Sequence, residues 1–298
     1  MPVKNAARSA KRAGPARESV RWFLTAVLGV GMGRVAIIGD VGGHPDQLRQ
    51  ALTWLGVTEA GLPPDLTVIQ VGDLVDRGPD SAGVLDIVTK LLTERQWIQL
   101  AGNHETQYLP GETVFWREPL ADAAVTRLRE WWADGRLRVA EAVRTAEGEE
   151  LLVTHAGLTL ASWQRLGGPP SATEAAESLN ERPDLIWEWG ESGRDGRAGP
   201  LWAESGAALH EPWMAYPGVV PFGQIHGHST VVRFTDRTWR CAGRIRHRTT
   251  VDWHARHVRV RVGGRVFIGV DPGHGRTGAA EWWPLVLDDA RVTEQSPR

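Results

Sequence analysis

Apolar residues along this chain gather into short runs that stop at glycine and give way at once to charged or ligand-type side chains. In the segment 66–81, LTVIQVGDLVDRGPDS, the run Leu66 to Val71 ends at Gly72 and releases Asp73, Asp76 and Arg77 before a Gly-Pro turn. A branched apolar run of this length, bounded by turn residues, predicts a buried strand entering a loop. Two neighbours share the form. Residues 35–44, VAIIGDVGGH, offer Asp40 and His44, and residues 98–105, IQLAGNHE, offer Asn103, His104 and Glu105. Between these runs the period changes to helical. Leu48, Leu52 and Leu55 follow Pro45, and Val84, Leu85, Val88, Leu91 and Leu92 follow a cap at Asp80 or Ser81. Strand, helix and strand in alternation predict βαβ crossovers and an α/β fold, with a site at the carboxyl ends of the strands.

Beyond Glu105, residues 119–134 predict a helix with Leu120, Ala124, Leu128 and Trp131 on one side, broken at Gly135. RLRVAEAVRTAEGEELLVTHAGL then reads as a hairpin turning at Glu147-Gly148, its second strand delivering His155. Residues 158–219 show no sustained period and are expected to form helices and loops over the mouth of the site. FGQIHGHST, residues 222–230, is a further strand edge with His226 and His228, and RVFIGVDPGHG and WWPLVLD supply two closing strands. Between Val231 and Arg265 the chain alternates and is rich in arginine. The solvated face of a β-hairpin pair accounts for this pattern better than an anion-attracting rim does.

Composition narrows the chemistry. A formal net charge of -2 over 298 residues argues against general nucleic-acid binding. Cys241 is the sole cysteine, which excludes disulfides within the chain and thiolate clusters and leaves His, Asp and Asn as metal donors. Residues 1–31 are basic and of low complexity, and are read as a disordered or wrongly included N-terminal extension, with a single domain over residues 32–298. The apolar stretch within them is shorter than the roughly 20 residues that cross a bilayer, so a cytoplasmic location without membrane contact is expected.

Gathered together, the strand edges supply Asp40, His44, Asp73, Asn103, His155, His226 and His228, enough for two borderline-hard cations with one carboxylate between them. GDVGGH, GDLVDRG, GNHE, HAG, GHS and GVDPG, in this order, resemble the calcineurin-like metallophosphoesterases, specifically the branch of the protein Ser/Thr phosphatases and bacterial diadenosine tetraphosphatases. The resemblance implies a two-sheet β-sandwich flanked by helices and two divalent ions (Mn, Fe or Zn). It implies Asp40 on the first ion, Asp73 bridging, and Asn103, His155 and His228 on the second; His226 is then structural or a partner to a ligand. It further implies attack of a metal-bridging hydroxide on a phosphomonoester of protein or small molecule, with Arg77 on the phosphate oxygens and His104 as general acid oriented by Asp76. Dinucleoside polyphosphates are the alternative substrates, and a phosphate-binding protein without turnover is the alternative function. One motif departs from the family's Gly-Asp-x-His-Gly: Gly42 stands at the histidine position. Either Gly42-Gly43 loops out and lets His44 reach the first ion, the favoured reading, or that ion has lost a ligand. Arg194 and Arg197 are candidates, by position alone, for a second phosphate-binding arginine.

Overall fold

Alternation along the first strand sets the architecture. In β1 (Gly33–Ile38), Val35 and Ile37 point into one apolar core, while Ala36 and Ile38 point into another. A strand buried on both faces must have a layer on each side. The computed structural model describes residues 33–111, 115, 118–190, 194, 196–278 and 281–294. The expected N-terminal extension lies outside the described residues.

From β1 the chain runs through α1 (Pro45–Trp54), β2 (Leu66–Gln70), α2 (Ser81–Leu91), β3 (Trp97–Leu100), the single turn α3 (Asn103–Thr106), α4 (Asp122–Ala133), β4 (Leu137–Arg138), β5 (Ala140–Arg144) and β6 (Glu150–Thr154). There follow α5 (Leu160–Arg165), α6 (Ala172–Glu181), a π-helical turn Ser205–His210, α7 (Glu211–Ala215), β7 (Gly223–His226), β8 (Val232–Arg233) and β9 (Thr238–Trp239). The chain then forms α8 (Gly243–Arg246), β10 (Thr249–Asp252), β11 (His257–Val262), β12 (Arg265–Gly269) and β13 (Leu285–Val292). β1, β2 and β3 are parallel, joined by α1 and α2 as the periodicity requires. Asp80 caps α2 by accepting from the Gly83 amide at 2.7 Å.

Eleven strands pair continuously in the order β10-β11-β12-β7-β6-β5-β13-β1-β2-β3-β4. The sheet is nevertheless a sandwich. Val35, Ile37 and Ile69 from one half share an interior with Val143, Val153, Ile225 and Ile268 from the other, and the eight-residue β13 links the halves by pairing with β1 and with β5. Outer faces are covered by helices: α1 and α2 on one half, and the alanine-rich α6 (Ala172, Ala175, Ala176, Leu179) on the other. The expectation that residues 158–219 form helices and loops over the mouth is therefore corrected for α6, which packs on a sheet face because its small stripe allows close approach. No helix among the described residues is long and apolar enough to cross a membrane. In the arginine-rich stretch, Arg233, Arg237, Arg240, Arg259 and Arg261 are exposed, whereas Arg256 is buried and donates to the Pro272 carbonyl at 2.6 Å.

Register places the strand ends level. Ile38, Gln70 and Gln99 are neighbours across β1, β2 and β3, and Thr154, His226 and Gly269 across the parallel β6, β7 and β12. Residues one to four positions beyond these therefore emerge along a common carboxyl edge.

One buried group has no visible role in that edge. His210 closes the π-helical turn, is 2% exposed, and neither ring nitrogen has a hydrogen-bond partner among the described residues. Burial, with a smaller contribution from His226, whose ring centroid lies 5.8 Å away, holds its imidazole neutral well below the usual histidine range. The unfolded chain binds this proton near pH 6.5 and the folded chain does not. Stability is thus full above that pH and falls as pH drops, by up to about 1.4 kcal/mol per pH unit for one proton. His210→Leu is expected to raise stability at pH 7 by about 1 kcal/mol, since it removes an unsatisfied buried polar group. It should also remove its share of the acid slope. Urea melts at pH 5 and pH 7 measure both, and an unchanged slope would count against the account.

Candidate active site

Each strand end contributes through a loop whose backbone is already constrained. The loops after β1 and β2 are stitched together: the amides of Val41 and Gly42 donate to the Asp73 carbonyl, and the Gly43 amide donates to that of Leu74. Asp73, Asp76, Arg77 and His228 all have positive φ, between 54° and 66°. Such conformations cost about 1–3 kcal/mol each and persist where surrounding contacts over-determine them. Glu105, for which the sequence suggested no role, supplies much of that constraint. Its carboxylate accepts from the amides of Asp73, Leu74, Val75 and Gly102 at 2.7–3.2 Å, tying the β2 and β3 loops into one unit. Burial foremost, then the Asp73 charge, raise its pKa to about 7 against those donors.

Acceptors converge at the centre. His155 Nε2 lies 3.0 Å from Asn103 Oδ1 and 3.3 Å from Asp73 Oδ1, and His228 Nδ1 lies 3.1 Å from the same Asn103 oxygen. His155 Nδ1 sits 3.0 Å from the Val71 carbonyl, which fixes that nitrogen as the donor and leaves Nε2 its lone pair. Burial holds His155 below its ordinary pKa and, aided by His155 itself, pulls His228 down to about 3, so both imidazoles are neutral at pH 7. Asp73 stays ionised: burial opposes its charge, but the His104 and Arg77 charges beside it outweigh that cost. Ligand atoms of Asp73, His155 and His228 all fall within 4.8 Å of one another. A buried focus of a carboxylate, an amide oxygen and two imidazole lone pairs is satisfied by a divalent cation.

Asp40 stands beside this focus. The His228 amide donates to its two oxygens at 3.0 and 3.2 Å, and Gly227 is required there because a Cβ would lie 2.1 Å from Asp40 Oδ1. Burial first, then the charges of Asp271 and Asp73, push the Asp40 pKa well above the carboxylate range. Gly42 and Gly43 do adopt positive φ, 52° and 67°. The loop they form carries His44 elsewhere: its Nε2 is 2.8 Å from the Gly275 carbonyl and its ring packs on His274, with centroids 5.1 Å apart. The structure thus brings together Asp40, Asp73, Asn103, His155 and His228, and does not bring His44 into the set. His226 is buried behind them with Nδ1 on the Gly227 carbonyl. Arg194 is exposed and pairs with Glu204, and Arg197 is exposed.

Beside this focus lies His104. His104 Nδ1 is 2.8 Å from Asp76 Oδ2, and its Nε2 is 3.1 Å from Arg77 Nη2 and 3.8 Å from Asp73 Oδ2. Burial alone would lower the His104 pKa, but the Asp73 charge and the Asp76 hydrogen bond prevail and raise it. Phe115 meets its ring edge-on, with Trp202 behind, so part of the segment 158–219 does reach the mouth. Tyr108, not singled out in the sequence, lies behind Asp76, its hydroxyl 2.5 Å from Asp76 Oδ1 and 2.9 Å from the Glu118 carbonyl. A positioning role is expected of it. Tyr108→Phe is expected to lower turnover roughly 10-fold, the lower end of what outer partners of site residues contribute. It should also move the alkaline limb of the rate profile upward, because the carboxylate charge no longer shared with the phenol acts more fully on His104. A rate loss with no movement of that limb would leave Tyr108 a packing residue only.

Residues 33–229 match the calcineurin-like phosphoesterase family, two thirds of the chain, and the chain belongs to that family. An asymmetrical bis(5'-nucleosyl)-tetraphosphatase of Oceanobacillus iheyensis is 36% identical over 75 residues, 24% of this chain and 30% of that protein. The match therefore spans less than a third of the relative's length. Among solved structures, a cold-active protein tyrosine phosphatase aligns with a TM-score of 0.49 and 16% identity, covering 87% of this chain and 74% of that one. A protein serine/threonine phosphatase from Saccharomyces cerevisiae aligns with a TM-score of 0.39 and 13% identity, covering 90% and 82%.

Proposed function

We propose that this chain is a two-metal phosphoesterase that hydrolyses phosphomonoesters of alcohols, with phosphoserine-like or phosphothreonine-like leaving groups. The observation that carries this reading is the line Tyr108, Asp76, His104 ending beside Arg77 and Asp73. An alkoxide is a poor leaving group and needs a proton in the transition state, whereas a nucleotide polyphosphate leaves with little help. A buried carboxylate that raises the proton affinity of an imidazole facing the cavity is built for the first case.

The donors Asp73, His155 and His228 fit a divalent cation, and the two-metal reading adds a second. Asp73, Asn103, His155 and His228 would hold one, and Asp40 and Asp73 would contribute to the other. Once bound, the ions supply Lewis acidity that generates a nucleophile from water near neutral pH and neutralises charge on phosphorus. The chain's own groups do the remainder. Arg77, with Nη1 3.5 Å from the His274 carbonyl, presents a planar fork of donors that matches two phosphate oxygens. His104 Nε2 delivers the proton to the departing oxygen, and Asp76 keeps Nδ1 protonated and the ring in plane. Phe115 and Trp202 screen this ring from water on one side.

Dinucleoside polyphosphates are the second reading, favoured by the 36% identity to a tetraphosphatase over the matched stretch. One assay separates the two. Purified protein, with and without manganese, is given an aryl phosphate, a phosphopeptide and diadenosine tetraphosphate. Metal-dependent release of phosphate from the peptide with little nucleotide turnover is expected. Preference for the dinucleotide selects the second reading, and binding of phosphate without turnover of any substrate would make the chain a phosphate-binding protein.

A further inference from the structure

Beneath the donors Asp73, His155 and His228 lies a polar side chain that the motifs of the sequence do not mark. Gln70 ends β2 on the face that Leu66 and Val68 turn toward the core shared with α1 and α2, and it is fully buried. An apolar residue would be expected there, since a buried amide is costly unless its donors and acceptors are met. The Gln70 amide is met throughout. Its Nε2 donates to the carbonyls of Gly39 at 3.0 Å and Gly72 at 2.8 Å. Its Oε1 accepts from the Gly72 amide at 2.8 Å and from Nε2 of Gln99, its partner in register on β3. Gln99 is anchored further back, donating to the Leu100 carbonyl at 2.9 Å and accepting from the Trp97 indole at 3.3 Å, and it bonds to neither glycine.

Those glycines immediately precede Asp40 and Asp73, so one carboxamide joins the starts of two loops of the site. Along the seam of β1 and β2 the Val71 amide donates to the Ile38 carbonyl at 3.1 Å, and further on the Val41 and Gly42 amides reach the Asp73 carbonyl. Gln70 spans the interval. Each of the three donors depends on this joint. Asp73 follows Gly72 directly. The Val71 carbonyl, between Gln70 and Gly72, accepts from His155 Nδ1 at 3.0 Å. Asp40, which follows Gly39, takes the His228 amide on both its oxygens at 3.0 and 3.2 Å. We propose that Gln70 is a positioning residue of the cation site: it fixes the separation of Gly39-Asp40 from Gly72-Asp73, and through them the mutual placement of Asp73, His155 and His228. Glu105 ties the β2 loop to the β3 loop, and Gln70 ties it to the β1 loop. A methionine of similar length would leave the Gly39 carbonyl without this partner and would release both side-chain bonds that hold Gly72 at its φ of 102°.

The inference rests on reading the three donors as a cation site, and calorimetry with manganese on the full chain tests the two separately. The parent is expected to bind manganese. Gln70→Met should bind it about 10-fold to 100-fold more weakly, the usual loss when a group that orients ligands is removed. At saturating manganese its kcat on an aryl phosphate should fall with KM little changed, because the substrate touches neither Gln70 nor the two glycines. Gln70→Asn keeps the amide on a shorter stem that cannot meet both glycines, and it should behave alike, so a misfolded first variant does not end the test. Gln99→Met removes a buried amide from the same layer but leaves the bonds to Gly39 and Gly72. It should lower stability in urea melts without metal, yet bind manganese as the parent does. Unchanged manganese affinity in either folded Gln70 variant, or an equal loss in Gln99→Met, would overturn the positioning role. A parent that binds no manganese would overturn the cation reading, and the assignment of Gln70 with it.

Discussion

Asp73→Asn is expected to lower turnover by at least about 1000-fold and to reduce the manganese retained after desalting, with the fold preserved. Asparagine has nearly the same shape, so the Oδ1 contact with the His104 amide at 3.1 Å survives. What disappears is the negative charge that faces both halves of the site. Oδ1 stands 3.3 Å from His155 Nε2, and Oδ2 faces His104 and Arg77 at 3.8 and 3.9 Å. On the two-metal reading one side chain addresses both cation positions, and its loss weakens both at once. Removing Asn103 or His228 would impair one. The measurement is metal content by elemental analysis beside rates on an aryl phosphate. Full activity of a thoroughly stripped parent would sink the account, and so would an Asp73→Asn variant with unchanged metal and rate.

Much of this site was legible because parallel strands impose a rule on sequence. A run such as Val35 to Ile38 buried on both faces has no polar alternation, so the first ligand-type residue after it marks the carboxyl edge. Asp40, Asp73, Asn103, His155 and His228 were all found that way, and the structure brings them together. His44 shows where the rule stops. Its distance from Asp40 in sequence suggested a loop folded by two glycines, and the positive φ angles are there, but the direction in which the loop sends the ring depends on Gly275 and His274, more than 200 residues away. Glu105 and Tyr108 were missed for a related reason. Their partners are backbone amides and a carboxylate from another strand loop, and no local pattern announces those contacts. The sandwich was expected from resemblance, whereas the continuity of its halves through β13 depends on one long strand whose pairing changes partner along its length.

His104→Asn is expected to separate substrates by their leaving groups. For an alkyl phosphate such as a phosphoserine peptide, loss of the proton donor should lower kcat by about 100-fold to 10,000-fold. For a nitrophenyl phosphate, whose leaving oxygen is stable as an anion, the loss should be far smaller. Asparagine keeps a polar group at the cavity but cannot transfer a proton. The pH profile adds a second readout. In the parent, His104 must be protonated to act, and its pKa lies above the usual histidine value through Asp73 and the Asp76 hydrogen bond. With cations bound to Asp73 the first of these influences is neutralised, and the 2.8 Å contact with Asp76 remains. The alkaline limb for alkyl substrates should therefore move downward in Asp76→Asn and vanish in His104→Asn. Equal losses on alkyl and aryl substrates would assign His104 to phosphate binding beside Arg77, because a group that only binds phosphate cannot tell one leaving oxygen from another.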